Sequence, residues 1–437
     1  MEHLALLMFV VLVFFLLLGY PVAFTLGGTA LLFGLASQGI EFFDLLPLRI
    51  WGTMTNFSLL AVPLFIFMGV MLEKSGLAED LLETMGLLFG RMRGGLAVSI
   101  VIVGALLAAT TGVVGATVVT MGVIALPAML KHGYQTELAT GTIAASGTLG
   151  QIIPPSVILV LLGDIMGISV GKLFMAAVLP GLALVGLFLV YVTAVAFLKP
   201  HLAPALKAAD VSVDVSKGLG VRAAKTLFPA LALIVAVLGS IFFGIASPTE
   251  SAAVGALGAI VLAATHGRLT LKALREVMES TTRLASMVFI ILVGAAAFGL
   301  VFRGMGGDQV VHAFMTGLPG EEWGFLAVSM LLIFALGFVL DFLEICFIVV
   351  PILTPVAAHL GIDLLWFAVL IGVNLQTSFL TPPFGFSLFY LKGVAPPEVR
   401  TTQIYRGIIP FVVLQVIGLI FVILFPQIAL WLPTVTE

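Results

Sequence analysis

Long uncharged apolar stretches alternate with short polar clusters along the whole chain, and their lengths predict the elements. A membrane-crossing helix needs about 20 consecutive apolar residues. On that measure spans fall near residues 4 to 19, 22 to 38 and 57 to 72, with Gly19-Tyr20-Pro21 as a break and Glu41, Asp44 and Arg49 marking an exposed connection. Residues 73 to 93 carry Glu73, Lys74, Glu79, Asp80, Glu83, Arg91 and Arg93 among apolar residues at helical spacing, which predicts an amphipathic helix lying along the membrane surface. From Gly94 to Leu130 no residue is ionisable, a run too long for one span and short for two. Arg91 and Arg93 before it and Lys131 and His132 after it place both ends on the cytoplasmic side, so a re-entrant hairpin over about 94–132 is expected.

An interrupted span follows over about 137–163, then a loop with Asp164 and Lys172 and a span near 173 to 198. Residues 199–225 hold Lys199, Lys207, Lys217, Arg222 and Lys225 against Asp210 and Asp214, and read as a cytoplasmic linker. Spans are expected at 226 to 244, from the turn Ser247-Pro248-Thr249-Glu250 to about 265, and at 284 to 302. The loop with Arg268, Lys272, Arg275 and Arg283 reads as cytoplasmic, and the acidic connection with Arg303, Asp308, Glu321 and Glu322 as external. A second hairpin at about 324–360, a second interrupted span at about 363–391 and a last span at 407 to 430 complete the pattern.

The pattern repeats. Pro127, Gly133 and Pro154-Pro155 recur 228 residues later as Pro355, Gly361 and Pro382-Pro383, and Leu-Ala-Val-Ser occurs at both 96 to 99 and 326 to 329. The chain therefore reads as two related halves, 1–198 and 226–437, each with five spans and one hairpin. An odd number of spans per half forces opposite orientations, so the reading is an all-α polytopic membrane protein of two inverted-topology repeats with both termini outside. Each half has an apolar segment interrupted by polar and helix-breaking residues, Ser146 to Ser156 and Asn374 to Gly385. Backbone groups freed in a bilayer are tolerated only where protein, water or an ion satisfies them. Broken segments at matching places in two halves are the best sequence pointer to a transporter's binding site.

Composition narrows the class. The chain is 61% hydrophobic and 9% charged, with a mean hydropathy of +1.26, against about 25% charged in soluble domains. The opening run from Leu4 to Leu18 lacks a preceding basic region and a following small-residue cleavage site, which makes it a first span and not a signal peptide. The net charge of −3 gives no nucleic-acid signal, and the single Cys346 excludes an intrachain disulfide and a cysteine metal cluster. The six histidines fall at expected ends and loops. Gly-x-Gly-Asp, His-Glu-x-x-His and Walker A motifs are all absent, which argues against a membrane protease, a zinc hydrolase and an ATPase.

Four stretches taken together resemble the large membrane subunit of tripartite ATP-independent periplasmic (TRAP) transporters, the DctM family: Ile124 to Tyr134, Gly147-Thr-Leu-Gly-Gln-Ile-Ile-Pro-Pro-Ser156, Ala246 to Ala253, and Gln376-Thr-Ser-Phe-Leu-Thr-Pro-Pro-Phe-Gly385. The resemblance covers essentially the whole chain. It implies an elevator-type, sodium-coupled importer of a small organic acid in the bacterial inner membrane, no organic cofactor, and two protein partners: a small four-helix membrane subunit and a periplasmic substrate-binding protein. The alternative within transport is a stand-alone ion-coupled anion transporter or proton antiporter of related fold.

Sodium is a hard cation served by carbonyls and hydroxyls. Carbonyls freed around Gly147 to Pro154 and Asn374 to Pro382 are candidates, with Thr110, Thr111, Gly112, Ser146, Thr148, Asn374, Thr377, Ser378 and Thr381 beside them. Thr111-Gly112-Val113 stands where many members show a Ser-Gly-Ser tip, so Thr110, Thr111 or Thr117 is expected to supply that hydroxyl. Half-helix N-termini at the breaks suit a substrate carboxylate, which brings in Thr117, Pro155, Ser156, Pro383 and Glu344. Intramembrane carboxylates by default mark function, so Asp341 is a candidate for ion coupling, with capping of the hairpin tip as its other reading. Arg303 and Arg283 either pair with a substrate carboxylate or snorkel, and Glu250 reads as a functional carboxylate or an N-cap.

Overall fold

The computed structural model describes residues 2–112, 114–206, 219–382 and 385–436. Within them the chain is helical throughout. In the first half come α1 (Glu2–Leu17), α2 (Val22–Ser37), α3 (Leu46–Met54), α4 (Ala61–Lys74), α5 (Leu77–Phe89), α6 (Gly95–Thr111), α7 (Val114–Lys131), α8 (Thr136–Thr148), α9 (Val157–Ile165) and α10 (Val170–Leu198). The second half holds α11 (Leu219–Phe242), α12 (Pro248–Thr265), α13 (Leu271–Gly304), α14 (Gly307–Thr316), α15 (Glu322–Leu336), α16 (Phe342–His359), α17 (Leu364–Leu380), α18 (Phe386–Val394), α19 (Thr401–Leu424) and α20 (Gln427–Val435). Among the described residues seven helices are long and apolar enough to cross a membrane, and six more are shorter and apolar. Large apolar side chains such as Phe24, Phe228 and Leu257 lie exposed on them, as lipid-facing residues do.

Local chemistry sets the helix ends. Gly133 and Gly361, matched in the repeat, both take the left-handed conformation, with φ of 81° and 74°. Each closes its helix through the following amide: Tyr134 N donates to Met129 O at 3.0 Å and Ile362 N to Ala357 O at 3.0 Å. Asp363 starts α17 by accepting from the amides of Leu365 and Trp366 at 2.8 and 3.1 Å. At Ser247 a reciprocal capping box starts α12, with the Ser247 amide and hydroxyl each donating to the Glu250 carboxylate at 2.7 Å.

The 228-residue spacing extends to the helix bounds. Shifted by it, Val114–Lys131 falls on Phe342–His359 at both ends, Thr136 falls on Leu364, and α9 and α2 start within two residues of α18 and α12. Packing follows the same rule: α4 lies along α12 of the other half while α2 lies along α13.

Several expectations are corrected. The basic stretch 268–283 is not a loop, because Thr270 caps a helix that runs from Leu271 unbroken to Gly304, and Glu276 and Glu279 pair with Lys74 and Arg275 at 3.3 and 2.8 Å. The connections at 39–57 and 303–322 contain α3 and α14. The apolar face of α5, with Leu77, Leu81 and Met85 buried, packs against α6 and α11. The last span ends at Leu424, and α20 follows Pro426. Asn374 to Leu380 stays helical, so the second break is confined to the segment between α17 and α18.

Candidate functional site

The first break is built by sequence chemistry. α8 runs out at Thr148 into a short 3₁₀ turn at Leu149–Gln151, the Pro154-Pro155 bond is cis, and Ser156 precedes α9 with its hydroxyl donating to Gln151 O at 2.9 Å. Hairpin α6–α7 turns at Gly112, whose φ of 62° lets its amide cap α6 through Ala108 O at 3.0 Å. That tip rests on the break: a methyl at Gly112 would sit 3.4 Å from Val157 N and 3.7 Å from Pro155 O. Gly147 has no side chain because Val118 of α7 occupies the space, and at Gly104 a methyl would lie 2.6 Å from the Ser146 Cβ. Ser146, Thr148, Thr117 and Ser156 are all buried here. The backbone of Thr110 and Thr111 forms the last turn of α6, while their side chains lie outside the described residues.

The second break repeats the arrangement. Hairpin α15–α16 turns at 337–341, and Gly337 lies against Ser378 of α17 so closely that a methyl there would strike the hydroxyl. Asn374, the repeat partner of Ser146, donates from Nδ2 to Met330 O of α15 at 2.6 Å. Phe342 and Phe379 hold the tip against the break with ring centroids 6.3 Å apart. Pro382 is half-buried at the break, and Pro383 lies outside the described residues.

The hydroxyls share one habit. Thr148, Thr377, Ser378 and Thr381 each donate to a carbonyl of their own helix three or four residues earlier, at 2.9, 3.0, 2.8 and 2.8 Å. In Thr377, Ser378 and Thr381 the protons are turned inward and the lone pairs outward, the orientation a cation requires, whereas Thr148 Oγ1 accepts from Nε2 of Gln376 and of Gln415. Asp341 and Glu344 are engaged differently. They form a reciprocal capping box at the start of α16: Asp341 accepts from Phe342 N at 2.7 Å and Glu344 from Asp341 N at 2.9 Å. Both carboxylates thus satisfy amides that the hairpin tip would otherwise leave bare.

The two breaks interlock. Ser387 of α18 donates to Ala144 O of α8 at 3.0 Å, and Gly372 of α17 admits Ile152 of the first break. Gln376 Nε2 reaches Thr148 Oγ1 at 3.3 Å, and these two positions are separated by the 228 residues of the repeat. Sequence reasoning missed Gln151, Gln376, Gln415 and Ser387 as site residues. Gln376 carried a readable signal, its spacing from Thr148; Gln415 on α19 carried none.

Arg303 and Arg49 lie apart from the breaks, lining a surface cavity of about 530 Å³ with Asp164, which accepts from Asn56 Nδ2 at 2.6 Å. Among the described residues no group of three or more His, Cys, Asp or Glu is placed to hold a metal.

Residues 9–428 match the family model described as the DctM component of the tripartite ATP-independent periplasmic transporter. The C4-dicarboxylate TRAP transporter large permease protein DctM of Rhodobacter capsulatus is 32% identical over 98% of each chain. A sialic acid TRAP transporter large permease protein of Vibrio cholerae is 32% identical over 95% of each. In fold the chain is similar to the YdaH transporter of Alcanivorax borkumensis, with a TM-score of 0.64 at 14% identity over 99% of this chain and 98% of that one.

Proposed function

Because the chain belongs to the DctM family of TRAP transporter large permeases, we propose that it imports a small carboxylate by sodium symport, receiving it from a periplasmic binding protein. It is a multi-pass membrane permease and not an enzyme. TRAP relatives are named for C4-dicarboxylates, for sialic acid and for isethionate, two kinds of carboxylate and a sulfonate, all of them organic anions. C4-dicarboxylates, 2-oxo acids and similar acids are the class we assign. A small four-helix membrane subunit would complete the assembly in the bacterial inner membrane, with both termini periplasmic and the two halves related as inverted repeats.

One observation carries the reading: each broken segment is met by the tip of a helical hairpin, and the second offers hydroxyl oxygens with outward lone pairs. Freed carbonyls and half-helix C-termini favour sodium, and half-helix N-termini such as that of α9 favour a carboxylate. Thr377, Ser378 and Thr381 are the hydroxyl ligands we favour, with Ser156 on the substrate. Movement of the hairpins and breaks as one body against α2, α4, α12 and α13 would provide alternating access.

The test is uptake of labelled organic acids into proteoliposomes holding the chain and its small subunit under an inward sodium gradient, with and without the binding protein. Uptake requiring both is expected. Sodium-driven uptake indifferent to the binding protein would indicate a stand-alone carrier, and uptake driven only by protons would remove sodium from the site.

A further inference from the structure

Tyr390 departs from the repeat. Its partner 228 residues earlier, Leu162 of α9, is completely buried, as is the neighbouring Leu161, whereas Tyr390 is 42% and Phe389 56% exposed. Half-helix α18 therefore opens a face that α9 keeps covered, and it places a phenol there.

That phenol stands between the two hairpin tips. The far end of its ring lies on Gly115, in the first turn of α7: a methyl there would sit 3.1 Å from both Cζ and Cε2 and 3.3 Å from Cε1. Because Gly115 has no side chain, the hydroxyl carried on Cζ reaches the tip of the first hairpin. From the second hairpin the charge of Asp341 acts on the same residue. Tyr390 also follows Gly385 by five residues, which sets it about 7–8 Å along α18 from the second break. A tyrosine that anchors a membrane helix sits at the headgroup level among lipids; this one lies near the depth of the breaks with its ring on a neighbouring backbone. Among the described residues its hydroxyl has no hydrogen-bond partner.

We propose that Tyr390 binds the substrate, its hydroxyl donating to an acid oxygen of the small organic anion held between the hairpin tips; the proposal rests on the sodium-symport reading. A phenol keeps its proton at neutral pH and serves as a donor. Such a donor recognises an anion without adding a fixed positive charge beside the sodium ligands. The ion, and not the protein, then balances the substrate's charge, so the anion binds well only with sodium in place. A lysine or arginine at this position would take over that balance and would compete with sodium for the Asp341 carboxylate.

The test is thermal unfolding of the purified chain with its small subunit in saturating NaCl, titrated with succinate, malate, 2-oxoglutarate and pyruvate. Without the binding protein, only the permease's own affinity is read. For Tyr390→Phe, which keeps the ring and loses the hydroxyl, the half-saturating acid concentration is expected to rise about 10- to 100-fold. The response of the acid-free protein to sodium should stay as in the wild type. Gly115→Ala, which displaces the ring, should weaken acid binding as well and add nothing in the Tyr390→Phe background. Wild-type acid affinity in Tyr390→Phe would overturn the proposal and leave the phenol as packing. Loss of the sodium response together with the acid response would overturn it too, by marking a structural role. A wild-type protein indifferent to every acid would remove the symport reading itself, and this site with it. Should Tyr390→Phe not assemble, Gly115→Ala alone gives the same readout.

Discussion

Asp341 shows how a single residue carries two readings that a substitution can separate. Its carboxylate caps α16, and asparagine caps a helix about as well as aspartate. Asp341→Asn is therefore expected to change thermal stability by less than about 0.5 kcal/mol, while the sodium concentration for half-maximal uptake rises several-fold. Unchanged sodium dependence would leave Asp341 as a cap and nothing more. At this scale the sequence was partly readable. Ser146, Thr148, Ser378 and Gly112 stand at the breaks, where helix-breaking neighbours advertise them, while the N-cap expected at Glu250 is Ser247, with Glu250 three residues on in the same capping box. Gln415 was hidden, since an amide in an apolar stretch looks the same whether it faces its own neighbours or a threonine 267 positions away.

Among the elements, α8 and α19 approach each other closely. A methyl on Gly141 would strike Gly407 O, and one on Gly407 would strike Glu137 O. Small residues allow such backbone contact between membrane helices, where van der Waals packing replaces the hydrophobic effect. Gly407→Ala is expected to cost about 1–3 kcal/mol and to slow uptake, whereas Gly393→Ala, where a methyl meets nothing within 4 Å, should be neutral in both. Thermal unfolding of the two variants decides it. The hairpins and interrupted spans were legible because uncharged run length and proline position encode them directly. The surface helices α3 and α14 and the first turns of α13 were not, because charge density marks solvent exposure and exposed residues fold into helices as readily as into loops.

For the whole molecule, the repeat spacing predicted helix bounds better than hydropathy did: α7 and α16 match end to end, although their compositions differ. Orientation is a separate matter and can be measured. In a background with Cys346 replaced, Gly317→Cys is expected to react with a membrane-impermeant maleimide in intact spheroplasts, and His201→Cys only after permeabilisation. The opposite pattern would invert the topology. The pairing of α4 with α12 and of α2 with α13 bears on how the protein is made. The ribosome delivers the first helix of each pair long before the second. Between the end of α4 at Lys74 and the start of α12 at Pro248, translation at roughly 5–20 residues per second takes on the order of 10–35 s. Throughout that interval the faces of α2 and α4 that these partners will cover lie open, so each early helix is a vacancy that a late one must find.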